Sequence, residues 1–332
     1  MKQVVICNYI IMLVSILIPV YNVEKYIGRC AYSLFQQTYD NIEYIFVNDC
    51  SPDRSIEVLR SIIEEFPNRK KKVKIIEHQT NKGLSAARNT ALENASGEYV
   101  MHVDSDDYID PQTVELALRK ADAEQSDIVV FDMSLIYNDV TTYSSAMVVP
   151  DKNKYLNSIL CRDSAVCLCG GLYRKRLYTD NNIHAIDGLN YGEDYVTKPR
   201  LVYYANKVSH LQLPLYKYVQ YNASSYTQNV KATAINDILK AIDILVDFFR
   251  TRHSNFHQIE NMIKIRNKVF LLEYCERANR KFVYSLFNEI SDVDLQMPLK
   301  HRIVWTLSSK KCYRLMSLYI DIAKFIKRQF HI

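Results

Sequence analysis

The stretch that decides the fold is 99-YVMHVDSDDYIDP-111, where an apolar run, Val100, Met101 and Val103, breaks off into Asp104, Asp106, Asp107 and Asp110. Crowded carboxylates repel, and two ionised ones about 5 Å apart stand roughly 3 kcal/mol uphill at an effective dielectric of about 20. A buried strand that ends this way asks for something positive beyond its end. Hard oxygen ligands in a D-x-D spacing suit Mg²⁺ or Mn²⁺, which commonly takes a few carboxylates plus substrate phosphates. Taken alone, the same residues read better as a solvated acidic turn or a helix N-cap, with Asp110-Pro111 opening the next helix.

Outward from this segment the first half of the chain alternates strand and helix. Strands are predicted at 13–19, 42–48 and 73–78, the last two as IEYIFVN and VKIIEH. Between them lie a helical pattern over 23–37 with Ile27, Cys30, Ala31 and Leu34 on one face, and a second carrying Ile56, Leu59, Ile62 and Ile63. Ser51 offers that second helix an N-cap and Pro52 suits its first position. A third helix, 81–95, is entered through Gly83. A helix over 112–124 and a strand over 127–133 continue the series. This β-α order implies an α/β fold with a mostly parallel, Rossmann-like sheet flanked by helices. Ligands of such sheets bind beyond the carboxyl ends of the strands. Tyr21-Asn22, Asn48-Asp49 and Asp104-Ser105-Asp106 all lie at such ends and are expected to converge.

Beyond about 225 the pattern turns helical. Ile235, Ile238, Leu239, Ile242, Leu245, Val246 and Phe249 trace one stripe, and Ile259, Met262, Ile263, Val269 and Phe270 a second. The expected organisation is an N-terminal extension over 1–11, with Met12 an alternative start. A catalytic domain follows over 12–222, divided into a nucleotide-binding half (12–115) and an acceptor half (116–222), and then a helical region over 223–332.

Composition narrows the function classes. The 332 residues are 48% hydrophobic and 24% charged, and a net charge of +5 is too mild to suggest a nucleic-acid binder. With only seven glycines the chain contains neither G-x-G-x-x-G nor G-x-x-x-x-G-K-[ST], which excludes the glycine-rich phosphate loops. Eight cysteines form no C-x-x-C pair and read as free thiols of a reducing, cytoplasmic compartment. The apolar run over 3–20 imitates a signal or membrane segment. It has only Lys2 for positive charge, lacks a cleavage pattern and ends at Pro19, so its second half is read as a buried strand. The stretch 299–330 combines apolar spacing with eight Lys/Arg against Asp321 alone. It suggests a basic amphipathic helix, either packed with a basic solvent face or in peripheral contact with the cytoplasmic face of the inner membrane.

Taken in order, the strand ends read 16-ILIPVYN-22, 45-IFVNDCSPDRS-55, 81-NKGLSAARNTAL-92 and 98-EYVMHVDSDDYIDP-111. This four-part set resembles family 2 glycosyltransferases of GT-A fold, closely over 12–115 and more loosely to about 220. The resemblance implies a bacterial polysaccharide-type enzyme that takes a sugar from a nucleotide-sugar donor, often a UDP-sugar. By likeness Pro19, Val20 and Tyr21 line the nucleobase pocket, Asp49 meets the base, and Arg88 lies near base or diphosphate. Asp104, Ser105 and Asp106 serve the ribose–diphosphate region, with Asp104 and above all Asp106 holding Mn²⁺ or Mg²⁺. In 192-GEDY-195 the likeness makes Asp194 the general base of an inverting displacement, with Glu193 its neighbour. The usual V-D-D-G-S is here Val47-Asn48-Asp49-Cys50-Ser51, which leaves Asp49 as the sole base-contacting acid, and a D-S-D-D-W ending has Tyr108.

Elementary chemistry supports these roles. A departing nucleoside diphosphate gathers negative charge that a cation offsets, Tyr21 can offer an aromatic face, and Arg88 a forked donor. The acceptor is expected to be a glycan or lipid-linked glycan of surface polysaccharide or lipopolysaccharide synthesis, contacted from 140–222. Two alternatives stand beside this reading. A sugar-nucleotide pyrophosphorylase would want a glycine-rich phosphate loop where this chain has PVYN. A non-catalytic, nucleotide-binding scaffold would have no need to keep the acids. His102 and His184 are read as structural, Asp110 as a cap, and Asp107 receives no role.

Overall fold

The computed structural model describes residues 12–222, 232–252, 256–290 and 297–330; the extension expected over 1–11 lies outside them. In chain order the first elements are β1 (Val14–Val20), α1 (Ile27–Phe35), β2 (Ile42–Asn48), α2 (Ser55–Glu65), α3 (Pro67–Lys70), β3 (Val73–Glu77), α4 (Leu84–Glu93), β4 (Tyr99–His102), β5 (Tyr108–Ile109), α5 (Thr113–Glu124), β6 (Ile128–Ile136) and β7 (Thr141–Ser144). Then come α6 (Lys152–Leu160), β8 (Gly171–Arg174), α7 (Arg176–Thr179), α8 (Glu193–Tyr204), β9 (Val208–Val219), α9 (Ala232–Arg250), α10 (Phe256–Tyr274), α11 (Arg280–Ser285), α12 (Leu299–Ser309) and α13 (Tyr313–Phe330).

All nine strands join one sheet in the order β3-β2-β1-β4-β8-β6-β9-β5, with β7 beside β6. The first four are parallel, as the β-α alternation predicts. Beyond β4 the parallel expectation is corrected. β8 runs antiparallel to both β4 and β6, β9 is parallel to β6, and β5 is antiparallel to β9. Antiparallel neighbours are not bound to the right-handed crossover that a parallel pair requires, so β8 can pair between β4 and β6.

β1 is buried at all seven positions, as a central strand covered on both faces must be. Its one polar side chain is fully satisfied: Ser15 donates to Glu43 (2.6 Å) and accepts the Gly97 N–H (2.8 Å). Glu43 also accepts the Ser96 N–H, tying β1, β2 and the entry to β4 into one network. Ile27, Cys30, Ala31 and Leu34 are buried from α1 as their spacing predicts, though the helix is shorter than 23–37.

The second helix corrects the capping expectation. α2 begins only at Ser55, because Ser51 instead receives the Asn22 N–H (2.8 Å) and donates to Asp53 (2.6 Å). Asp53 in turn accepts the Glu24 and Ser55 N–H groups. The polar residues of 51–55 thus fasten the loops after β1 and β2 to each other before the helix starts.

The chain divides into two compact units. The first comprises the described residues to Lys152 together with Cys167–Gly188 and Arg200–Asn222, and it holds the whole sheet; the second takes Asn153–Val166, Leu189–Pro199 and the described residues beyond 223. In the second unit α9 buries Ile235, Ile238, Ile242, Leu245, Val246 and Phe249, the stripe read from sequence apart from Leu239, which is half-buried. The segment 299–330, read as one helix, is two: α12 ends at Ser309 and the chain turns through Lys311, at φ 58°, before α13. Among the described residues no helix is long and apolar enough to cross a membrane.

Candidate functional site

At the carboxyl end of β4 the chain leaves the sheet as Val103-Asp104-Ser105-Asp106-Asp107 and returns as β5. A turn closes it, with the Asp107 N–H donating to the Asp104 carbonyl (3.0 Å). The second half of β9 holds this loop in place. The Tyr216 hydroxyl accepts the Asp104 N–H (3.2 Å) and donates to Asp107 (2.7 Å), while the Val219 N–H donates to the other Asp107 oxygen (2.7 Å). β9 reaches the loop because of an irregularity: its register against β6 shifts on either side of the Asp132–Pro214 pair. Proline is tolerated at such bulges, and the extra residues bend the strand.

The three acids differ sharply. Asp107 is buried and already satisfied; burial, then Asp106 and Asp104, push its carboxyl well above the usual carboxylate range. Its carboxyl holds the loop to β9. Asp106 is also raised, by burial and then by Asp104, and one of its oxygens accepts the Asn222 amide (2.8 Å). Asp104, its side chain 31% exposed, is held on both oxygens: Arg88 donates to one (3.0 Å) and the Cys169 thiol to the other (3.1 Å). Ser105 between them is buried. Asp110 is not a helix cap. Its carboxylate accepts the Gln112 N–H and its carbonyl the Thr113 N–H, so it shapes the turn ahead of α5.

Arg29, from α1, braces the loop from the other side. It donates to the Asp106 carbonyl (3.3 Å), and its guanidinium lies over the rings of Tyr108 (4.4 Å) and Tyr221 (5.7 Å). Arg29, Cys169, Tyr216 and Asn222 escaped the sequence reading. Their only signal is three-dimensional, since Tyr216 and Asn222 stand more than a hundred residues from the acids they bind.

The other strand ends gather as expected within this unit. Asp49 is buried, and its carboxylate accepts the Lys82 and Gly83 N–H groups (both 2.8 Å) while bonding His78 Nδ1 (2.7 Å). It therefore clamps the loop that enters α4, where Gly83 adopts φ 88°. Arg88, one turn into α4, is buried against Asp104. Of the three residues at the end of β1, Pro19 and Val20 are buried and Tyr21 is 43% exposed, so Tyr21 alone offers a free ring face. Glu193 and Asp194 open α8 behind Gly192, at φ 93°, within the second unit; Glu193 is buried and Asp194 half-buried. His102 bonds the Tyr178 hydroxyl (3.0 Å) in the core, and His184 is exposed. The cysteines of the described residues are all free thiols.

Among the described residues no three His, Cys, Asp or Glu converge as a ready-made metal cage. What the loop provides is two carboxylates, Asp104 and an Asp106 that burial and then Asp104 push up, with oxygen donors only. That set fits a hard cation completing its shell from phosphates and water, and it does not fit a soft one.

A mixed sheet whose parallel strands end in clamped acids, with antiparallel strands beyond them and a helical region after, is the GT-A design. The chain belongs to glycosyl transferase family 2, whose family model matches residues 15–180. EpsH of Bacillus subtilis is 36% identical over 212 residues, covering 62% of this chain and 60% of EpsH, so the chain spans less than two thirds of that relative. The uncharacterized glycosyltransferase EpsJ of the same organism is 32% identical over 235 residues, covering 69% of this chain and 67% of EpsJ. Among solved structures, S. aureus TarS 1–349 in complex with UDP-GlcNAc superposes with a TM-score of 0.71 over 94% of this chain and 92% of that one. At 23% identity that likeness speaks to the fold.

Proposed function

We propose that the protein is an inverting, metal-dependent glycosyltransferase that moves a sugar from a nucleotide-sugar, in the first instance a UDP-sugar, to a hydroxyl of a glycan or lipid-linked glycan. The observation that carries this reading is the acidic loop after β4, where Asp104 and Asp106 are held in unfavourable proximity by Arg88, Cys169 and Asn222. Folding that concentrates charge in this way serves a cationic ligand better than it serves stability. Asp106, with Asp104 beside it, would hold Mn²⁺ or Mg²⁺. Bound there, the ion would offset the negative charge growing on the departing diphosphate.

The chain's own groups carry the rest. Tyr21 offers its exposed ring to a base, and Asp49 keeps the Lys82–Gly83 turn in shape for the nucleoside. Arg88 is a positioning residue: buried against Asp104, it orients that carboxylate toward ribose and diphosphate. In the displacement the acceptor oxygen forms a bond to the anomeric carbon as the carbon–phosphate oxygen bond breaks, and the electron pair leaves with the diphosphate. The acceptor proton passes to Asp194, which is more accessible than the buried Glu193. Support for UDP-GlcNAc as the first donor to try comes from the TarS complex.

The test is turnover of UDP-GlcNAc and a panel of UDP-, GDP- and dTDP-sugars with Mn²⁺. Asp106→Asn and Asp194→Asn are each expected to lower kcat by about a thousandfold or more, with UDP binding kept in Asp194→Asn. Full turnover in excess chelator would remove the metal from this account. Absence of both turnover and calorimetric UDP–Mn²⁺ binding would remove the enzyme.

A further inference from the structure

We infer that α13 is a docking helix for an anionic phospholipid surface. Two opposite faces of this helix are apolar. Met316 and Ile320 are buried on one, together with Ser317. Leu315, Leu318, Ile322, Phe325 and Ile326 stand 47–67% exposed on the other. At about 100° per residue these five fall within an arc of roughly 100°, on the side away from the docked face. Scattered exposed leucines need no explanation, but a continuous stripe of five large side chains does.

Charge selects the occupant. Arg314 borders the stripe and is exposed, and Lys310 and Lys311 are exposed at the turn that precedes it. The one acid of the segment, Asp321, is already engaged by Arg280 (2.9 Å). A second copy of the chain would bring the same cations against these, whereas an anionic lipid surface complements them and buries the stripe among its acyl chains. The exposed stripe and the cations beside it all lie on α13 or the turn before it, apart from the groups of the catalytic reading.

Co-sedimentation of the full chain with phosphatidylglycerol–phosphatidylcholine vesicles, against pure phosphatidylcholine, tests it. Wild type is expected to pellet with the anionic vesicles and to be released by high salt. Leu318→Glu/Phe325→Glu should weaken binding by about tenfold or more, and Lys310→Glu/Lys311→Glu should remove the preference for anionic lipid. Unchanged thermal unfolding verifies that the variants fold, and the milder Ile322→Gln replaces any that does not. Wild type left in the supernatant with anionic vesicles overturns the proposal. So does a wild-type oligomer in sedimentation velocity that Phe325→Glu converts to monomer, because the stripe would then be a contact between copies.

Discussion

The Tyr216 hydroxyl accepts from the backbone of Asp104 and donates to the carboxyl of Asp107, so a single oxygen sets the spacing between two members of the acidic loop. Burial, then Asp107, push its own ionisation far up, which keeps it a donor. Tyr216→Phe leaves the Asp107 carboxyl held by the Val219 N–H. It should lower stability by about 1–3 kcal/mol, read as a shift in the urea midpoint, and should raise the Mn²⁺ concentration needed for half-maximal turnover. Cys169→Ala makes a different mark: it frees one Asp104 oxygen without removing a charge. The donor KM should rise a few-fold while kcat changes little, as about 1 kcal/mol of lost orientation would give; an unchanged KM would deny Cys169 any positioning role. At this scale legibility follows locality. Asp104 and Asp106 could be read because adjacent residues make the D-x-D, and Asp49 and Arg88 because they lie beside strand ends. The groups that restrain them come from α1, from the residues leading into β8, and from β9 and the residues just after it, and no local pattern announces a tyrosine as a clamp.

Elements were legible where their own periodicity is sufficient. β1, β2 and β4 are buried throughout or nearly so, and α1 buries the residues its spacing marks; β3 at the sheet edge and Ile56 of α2 are only half-buried. β5 has only two residues and exists because β9 pairs with it; β8 is a four-residue strand whose place depends on β4 and β6. The division of 299–330 turns on Lys311 adopting a positive φ, which an apolar stripe does not encode. One glycine governs the entry to β4. A Cβ on Gly97 would stand 2.7 Å from both the Leu13 carbonyl and the Ser15 N–H nitrogen, backbone atoms of the adjoining strand that cannot turn aside. Gly97→Ala should therefore destabilise the sheet by about 2–3 kcal/mol, seen as a lower denaturation midpoint. It should also weaken UDP binding, because β4 carries the acidic loop. A midpoint within error of wild type would contradict that packing.

For the molecule as a whole, pH offers a separate probe. Lys268 is buried in the helical unit, donating to Asn288 (2.9 Å) beneath the rings of Tyr284 and Trp305. Burial lowers its pKa to about 8, against about 10.4 in an unfolded chain. Between those values the unfolded chain holds the extra proton, so stability should rise with pH across the window; below it the buried ammonium weighs against folding. Wild type should gain thermal stability between these limits relative to Lys268→Met, whose melting profile lacks this component. Parallel profiles would mean that Lys268 meets water more freely than its burial indicates.

The hold of β9 on the acidic loop also sets an order of events. Asp107 meets the Val219 N–H across 112 residues of sequence, so a chain that has made only its first four strands owns the acids without the frame that holds the loop in place. Competence to bind is then a product of late, long-range closure, the slow kind of contact. By linkage the converse holds. A nucleotide–metal ligand engaging the loop stabilises the closed strand, by about 2.7 kcal/mol at a hundred times its dissociation constant. The Val219 amide should report this as slowed hydrogen exchange, making a backbone proton of the last strand a gauge of occupancy at the proposed nucleotide site.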